Sequence, residues 1–266
     1  MKQSFGEWLD ETWNEPLEAD WPTKHEGLNR LFNGGFRRQH LLVLGARPGV
    51  GKTTWMVDQA MDLARRGIRV GICSVERPAG EIIVKACTNY SGGDPRPDEL
   101  VEELSNLPIW IDDAGAGLTV ARIRRMVEDD PIDILFIDYL QLLGHERNWA
   151  NRNAELDAIL QEIQALHKEH NIQIVLLSQL NRGVEDRRYK DEHARPISYD
   201  LRDCGAIEQT ADEIILMHRD DLYREFPTND GATELIVAKN RMGPTGTVRV
   251  TFYPEDNKFT EQRKLK

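Results

Sequence analysis

The ten residues Gly45-Ala46-Arg47-Pro48-Gly49-Val50-Gly51-Lys52-Thr53-Thr54 constrain the fold of this chain more than any other stretch. They follow the apolar run HLLVLG at 40–45 and precede a helix-forming segment at 53–66 that Gly67 closes. A buried strand, a glycine-rich turn and a helix in that order build an anion cradle from backbone N–H groups and the helix N-terminus. The pattern G-x-x-x-x-G-K-[ST] asks for glycine where Ala46 stands. Gly49 and Gly51 still supply backbone freedom, so a working nucleotide loop is expected over Ala46, Arg47, Pro48, Gly49, Val50, Gly51, Lys52, Thr53 and Thr54. In it Lys52 reaches the outer phosphates of ATP and the Thr53 hydroxyl serves Mg2+.

The loop opens a regular alternation. Strands are predicted at 68–75, 108–111, 134–137 and 172–177, with helices at 79–90, 119–128 and 154–170 between them. Strands spaced by helices of this length predict an α/β fold, a mostly parallel central sheet with helices on both faces. After a strand at 212–217 the pattern changes to three strand-like runs, 233–239, 247–253 and 257–259, joined by turns such as GPTG. These predict a C-terminal antiparallel extension. Ahead of the domain at 23–266 stands an arm, 1–22, with Phe5, Trp8, Leu9 and Trp13 at helical spacing. One face of that arm either folds back on its own core or docks on a neighbouring subunit.

Bulk properties exclude several classes. A chain of 266 residues suffices for one large domain with a full core. A net charge of -11 argues against coating nucleic acid with the whole surface, while leaving room for a local basic pore or groove. No apolar run reaches the roughly 18 residues of a membrane span, and the acidic N-terminus is neither a secretion signal nor a transit peptide. Cys73, Cys87 and Cys204 lie far apart, which fits a reducing cytoplasm and excludes a cysteine-rich zinc site.

Three further residues belong with the loop. Asp138 ends the run ILFID at the carboxyl end of a strand, where open α/β sheets place ligands, and its role is to hold Mg2+ through water. Glu76, after GICSV, is positioned to activate the attacking water; a plain surface glutamate is the alternative. Gln179 ends IVLLS and either senses the γ-phosphate or is a structural amide. The charged segment 181–196 (NRGVEDRRYKDEHARP) has no apolar period and reads as a loop. It is either simply solvated or ordered by the phosphate state of the nearby site.

Together these residues resemble the RecA-type motor domain of bacterial and phage replicative helicases, the DnaB type, from about Trp21 to Phe259. The stretches that carry the resemblance are ARPGVGKTT, LFIDYLQLL, LLSQLNRGVEDR, SYDLRDCGAIEQTADEI and IVAKNRMGPTGTV. That family also has alanine at the first loop position. The resemblance implies an ATP hydrolase that binds ATP and Mg2+ and moves along single-stranded DNA as a homo-oligomeric ring, a hexamer, in the cytoplasm of a bacterial or phage-infected cell. It assigns Glu76 as the catalytic glutamate, Asp138 as the metal-holding aspartate and Gln179 as the sensor. Arg241, with Lys239 beside it, becomes the finger reaching the neighbouring subunit's γ-phosphate. Arg202, Asp203 and Gly205 fall on a loop touching the DNA backbone in the central pore, where Asp203 and Cys204 replace the usual glutamate and serine. A primase or helicase loader is the implied partner. The N-terminal helical domain of the family has no counterpart in the sequence. The rival readings are a recombination or repair ATPase without processive unwinding, and an accessory protein docking on a host helicase.

Overall fold

The computed structural model describes residues 4–6, 9, 19–96, 98–147, 149, 151–188, 191, 193–201, 204–223 and 230–261. Trp8 and Trp13 of the arm, and Arg202 and Asp203 of the expected DNA loop, lie outside the described residues.

Among the described residues, nine strands form one sheet in the order β3-β2-β4-β5-β1-β6-β7-β8-β9. The strands are β1 (Leu41–Ala46), β2 (Val70–Ser74), β3 (Ile109–Asp112), β4 (Ile134–Asp138), β5 (Gln173–Gln179), β6 (Glu213–His218), β7 (Ala232–Asn240), β8 (Gly246–Tyr253) and β9 (Lys258–Glu261). The first six are mutually parallel, and β7 to β9 add antiparallel strands at one edge. The helices are α1 (Glu26–Leu31), α2 (Lys52–Arg65), α3 (Ala79–Ser91), α4 (Val101–Ser105), α5 (Val120–Asp129), α6 (Arg152–Glu169), α7 (Gly183–Arg188) and α8 (Cys204–Thr210). No described helix is long and apolar enough to cross a membrane.

The continuous apolar runs of β1 and β4 are buried at every position, as a sheet covered on both faces requires. Alternate residues then feed two cores. Leu42, Leu44, Phe136 and Val175 pack on one face with Trp55, Met56 and Leu63 of α2. Leu41, Val43, Leu135 and Ile174 pack on the other with Ile123 of α5 and Ile159 and Ile163 of α6. Helix starts are fixed locally. The Thr119 side chain accepts from Arg122 N ahead of α5, and Asn151 accepts from Ala154 N ahead of α6.

Several segments depart from the sequence reading, the short helices α1 and α4 among them. Within the expected loop 181–196, residues Gly183–Arg188 form a helix. Tertiary anchors rather than periodicity make it. Val184 is fully buried, Glu185 pairs with Arg47, and Arg187 pairs with Asp200. Gly205, expected in a loop, stands at the start of α8 and is exposed, with open space where a Cβ would lie. Ala19 and Trp21 hydrogen-bond to the carbonyls of Asn33 and Phe36, so residues just before the expected boundary at 22 are tied to the sheet domain.

Candidate nucleotide site

The carboxyl ends of β2, β4, β5 and β1, neighbours in the sheet, meet along one edge. The register sets Ser74 level with Asp138 and Ala46 level with Gln179, so the segments that follow converge on one crevice. Ala46 is the last residue of β1, fully buried, and is not among the positive-φ residues. Nothing at that position demands glycine. The left-handed conformation falls instead on Gly49 (φ 79) and Gly51 (φ 115), the second of which caps α2. There a Cβ would cost strain.

The crevice has a volume of about 260 Å³ and is lined by Pro48, Lys52, Thr53, Glu76 and Gln179, among others. The Thr53 hydroxyl donates to Asp138 Oδ2 at 2.6 Å. Asp138 is fully buried, and its Oδ1 has no hydrogen-bond partner. Burial raises the Asp138 pKa, against the Thr53 hydrogen bond and the nearby Lys52 ammonium. Burial likewise lowers the Lys52 pKa, although Asp138 and Glu76 pull it upward. Lys52 Nζ lies 5.3 Å from the centroid of the Tyr139 ring.

An unpartnered buried carboxylate oxygen beside a threonine hydroxyl is a donor set that fits Mg2+. That ion takes one or two protein oxygens and completes its shell with water and phosphate. The described residues hold no cluster of three or more His, Cys, Asp or Glu side chains suited to a metal.

The turn bearing Glu76 is built by Ser74, whose hydroxyl donates to the Arg77 carbonyl at 2.7 Å, while Val75 N donates to the Asp138 carbonyl. Glu76 is exposed at the tip of that turn. Gln141, in the stretch LFIDYLQLL, accepts from Gln179 N and donates to Ser178 Oγ, which fixes the end of β5. Sequence reasoning missed Gln141, together with Arg77, Lys85, Tyr139 and Phe252 of the lining. Arg77 directly follows Glu76 and was within reach of that reading. Lys85 and Phe252 arrive from a helix and an antiparallel strand, without any local signal.

Lys239 and Arg241 are not brought to this crevice. Ala46 pairs with Met217 near the end of β6, whereas Asn240 pairs with Glu213 at its start. At ~3.3 Å per residue the two levels are ~13 Å apart along the sheet. Lys239 Nζ donates to the carbonyls of Glu208 and Ala211, and Arg241 pairs with Asp212 at 3.0 Å. A wider depression of about 510 Å³ lies beside β3, around Trp110, Asp113 and Asp129. No residue of the phosphate chemistry reaches it.

A parallel sheet with a glycine loop after its central strand, and a buried aspartate tied to the loop threonine, defines a P-loop nucleotide-binding domain. The family model for the DnaB-like helicase C-terminal domain matches residues 21–261, and the chain belongs to that family. It is 36% identical over 258 residues to the replicative DNA helicase DnaC of Bacillus subtilis (strain 168), covering 90% of this chain and 56% of that protein. It is 35% identical to a probable plasmid replicative DNA helicase of Chlamydia psittaci, over 85% of this chain and 52% of that one. The chain thus spans about half the length of the curated relatives it matches. Among solved structures, an isolated ATPase domain has a TM-score of 0.87 at 28% identity, covering 99% of this chain and 100% of that one. A DnaB-like replicative helicase, described with its interactions with primase, has the same TM-score at 26% identity, covering 99% and 68%.

Proposed function

We propose that this chain is the ATP-hydrolysing motor of a replicative DNA helicase that assembles head to tail as a ring of six around single-stranded DNA. The observation that carries this reading is the placement of two charge sets on opposite edges of one sheet. Lys52, Thr53, Asp138 and Glu76 occupy the carboxyl edge, and Lys239 with Arg241 the other. One molecule cannot close a site from both, but a heterologous contact between copies can, and repeated around an axis it gives a ring.

In this reading Lys52 and the loop N–H groups bind the phosphates, and Thr53 and Asp138 hold Mg2+, which when bound neutralises charge on the β- and γ-phosphates. Glu76 accepts the proton of the attacking water. Arg241 comes from the next subunit to stabilise the transferring phosphate, with Lys239 beside it. Its guanidinium is half exposed in its present pairing with Asp212, so it is accessible to a neighbouring copy. Gln179 leads directly into Leu180, which bridges to Leu201 ahead of the expected DNA contacts Arg202, Asp203 and Gly205. Arg47 donates to the Leu180 carbonyl and pairs with Glu185 of α7, so the loop and the 181–201 segment share one frame. A primase or helicase loader is the proposed protein partner, in keeping with the primase named for the similar solved helicase.

The test is strand displacement from a forked duplex. ATP-dependent displacement is expected from the parent. Glu76→Gln is expected to bind ATP while turnover falls about 10²–10⁴-fold, the range of general-base catalysis. DNA-stimulated ATP hydrolysis without displacement would replace the helicase by a recombination or repair ATPase. Parental turnover in Glu76→Gln would remove Glu76 as the base.

A further inference from the structure

Tyr199 is 74% exposed, although the backbone that carries it is held from several sides. It is the middle residue of a single 3-10 turn, Ser198–Asp200. The next residue, Asp200, is almost fully buried and takes both guanidinium nitrogens of Arg187, Nη1 at 2.7 Å and Nη2 at 2.5 Å. Asp200 Oδ2 also accepts from Ile197 N, and the Asp200 carbonyl from Asn181 N at 2.7 Å. The Tyr199 carbonyl accepts from Asn181 Nδ2, and Leu201 bridges to Leu180. A large aromatic ring therefore projects into solvent from a rigid mount.

The surroundings favour one kind of occupant. Arg182, just past Asn181, is exposed and makes no ion pair among the described residues. Arg187, Arg188 and Arg195 are by contrast consumed by Asp200, Asp220 and Glu234. An exposed ring, with an unpaired cation on the residue that follows Asn181, the backbone partner of Tyr199 and Asp200, suits stacking of a nucleobase with a phosphate held nearby. A protein partner of ordinary size would need a broader apolar surface, and among the residues flanking Tyr199 only Ile197 adds exposed apolar area.

We infer that Tyr199 stacks on a base of the single strand and supplies a grip that does not depend on charge. This rests on the motor reading above, in which the strand passes the segment leading into residues 202–205. Every base has a π-face, so the contact favours nucleic acid with bases over bare backbone without selecting a sequence.

The experiment compares the binding of oligo(dT) and of an abasic oligomer of equal length, in the presence of a non-hydrolysable ATP analogue. Stacking predicts that Tyr199→Ala weakens oligo(dT) about 5- to 150-fold with an unchanged salt slope. Tyr199→Phe and Tyr199→Trp retain affinity, and the abasic oligomer binds parent and Tyr199→Ala alike. Parental binding of oligo(dT) by Tyr199→Ala overturns the inference and leaves the motor reading intact. So does an equal loss on both oligomers, which marks a backbone or folding effect. A parent that binds neither oligomer overturns the motor reading and this inference together.

Discussion

Asp138 sets stability against chemistry in one side chain. Buried with one oxygen unpartnered, its carboxyl is pushed above the ordinary carboxylate range. The folded protein therefore resists its ionisation, and the Asp138 charge weakens the nucleotide-free fold once pH exceeds the unfolded carboxylate value. Asp138→Asn removes that charge at similar volume. It is expected to melt at the parental temperature or above without nucleotide, and to lose the added stability that Mg2+ and ATP give the parent. Melting curves with and without Mg2+-ATP decide it, and a lower nucleotide-free midpoint would show the charge to be compensated inside the fold. His25 works in the other direction. Its ring is buried, both nitrogens lack partners, and it stacks on Trp55. Burial, with help from Lys24, lowers its pKa to about 3. A lowered histidine pKa gives stability that is complete above the unfolded value and drains as pH falls from about 6.5 toward the folded one, about 2 kcal/mol by pH 5. The raised carboxyls of Asp58, Asp138 and Glu213 oppose that trend as they protonate, so the readout is a difference. His25→Phe is expected to lose about 2 kcal/mol less than the parent in urea unfolding between pH 6.5 and pH 5. Equal losses would place His25 in contact with water.

The phosphate loop shows how an element can be legible before it is seen. Gly51 holds φ 115 and its missing Cβ faces Phe259 Cζ at 3.1 Å. Alanine there meets both a backbone penalty of about 1–2 kcal/mol and a ring packed against Phe252. Gly51→Ala is expected to weaken ATP binding at least about tenfold, because the strained residue is the cap that aims the N–H groups of α2. Unchanged affinity in a nucleotide titration would mean that the loop repacks freely. The sequence made this loop readable, along with the strands around it, because buried parallel strands are short unbroken apolar runs that end in glycine, aspartate or glutamine. Asp138 and Gln179 were readable for the same reason, as strand ends on one edge. The short α7 was not, because its order comes from Val184 and from the ion pairs of Glu185 and Arg187 with distant residues. Lys85 and Phe252 were hidden likewise, since proximity made by the fold leaves no mark on local spacing. The edge that Arg241 occupies became visible only with the register of β6 and β7.

At the scale of the whole molecule, that edge raises the question of what completes the site. Arg241 and Lys239 sit together against the carbonyls and carboxylate of residues 208–212, at the level where β6 begins. The phosphate loop stands at the level where β6 ends. The Arg241 side chain cannot span the ~13 Å between those levels and still meet a phosphate inside its own crevice, so if Arg241 acts on a phosphate it acts in the crevice of another copy. Arg241→Ala is then expected to bind ATP with parental affinity and to hydrolyse it about 10³–10⁵-fold more slowly, as loss of an arginine finger does. Lys52→Ala fails in the complementary way, with an intact finger and a crippled loop. When the two variants are mixed, some interfaces unite the intact loop of one with the intact finger of the other, and those interfaces regain turnover. For random mixing in equal parts, about a quarter of interfaces are of this kind, which bounds the recovery from independent sites. Subunit exchange is established first by labelling the two variants with different dyes and following energy transfer between them. Recovered hydrolysis that rises with exchange supports a site shared across the ring. Hydrolysis that stays at the level of the separate variants, in mixtures shown to exchange, would confine Arg241 to its own chain and end the shared-site mechanism.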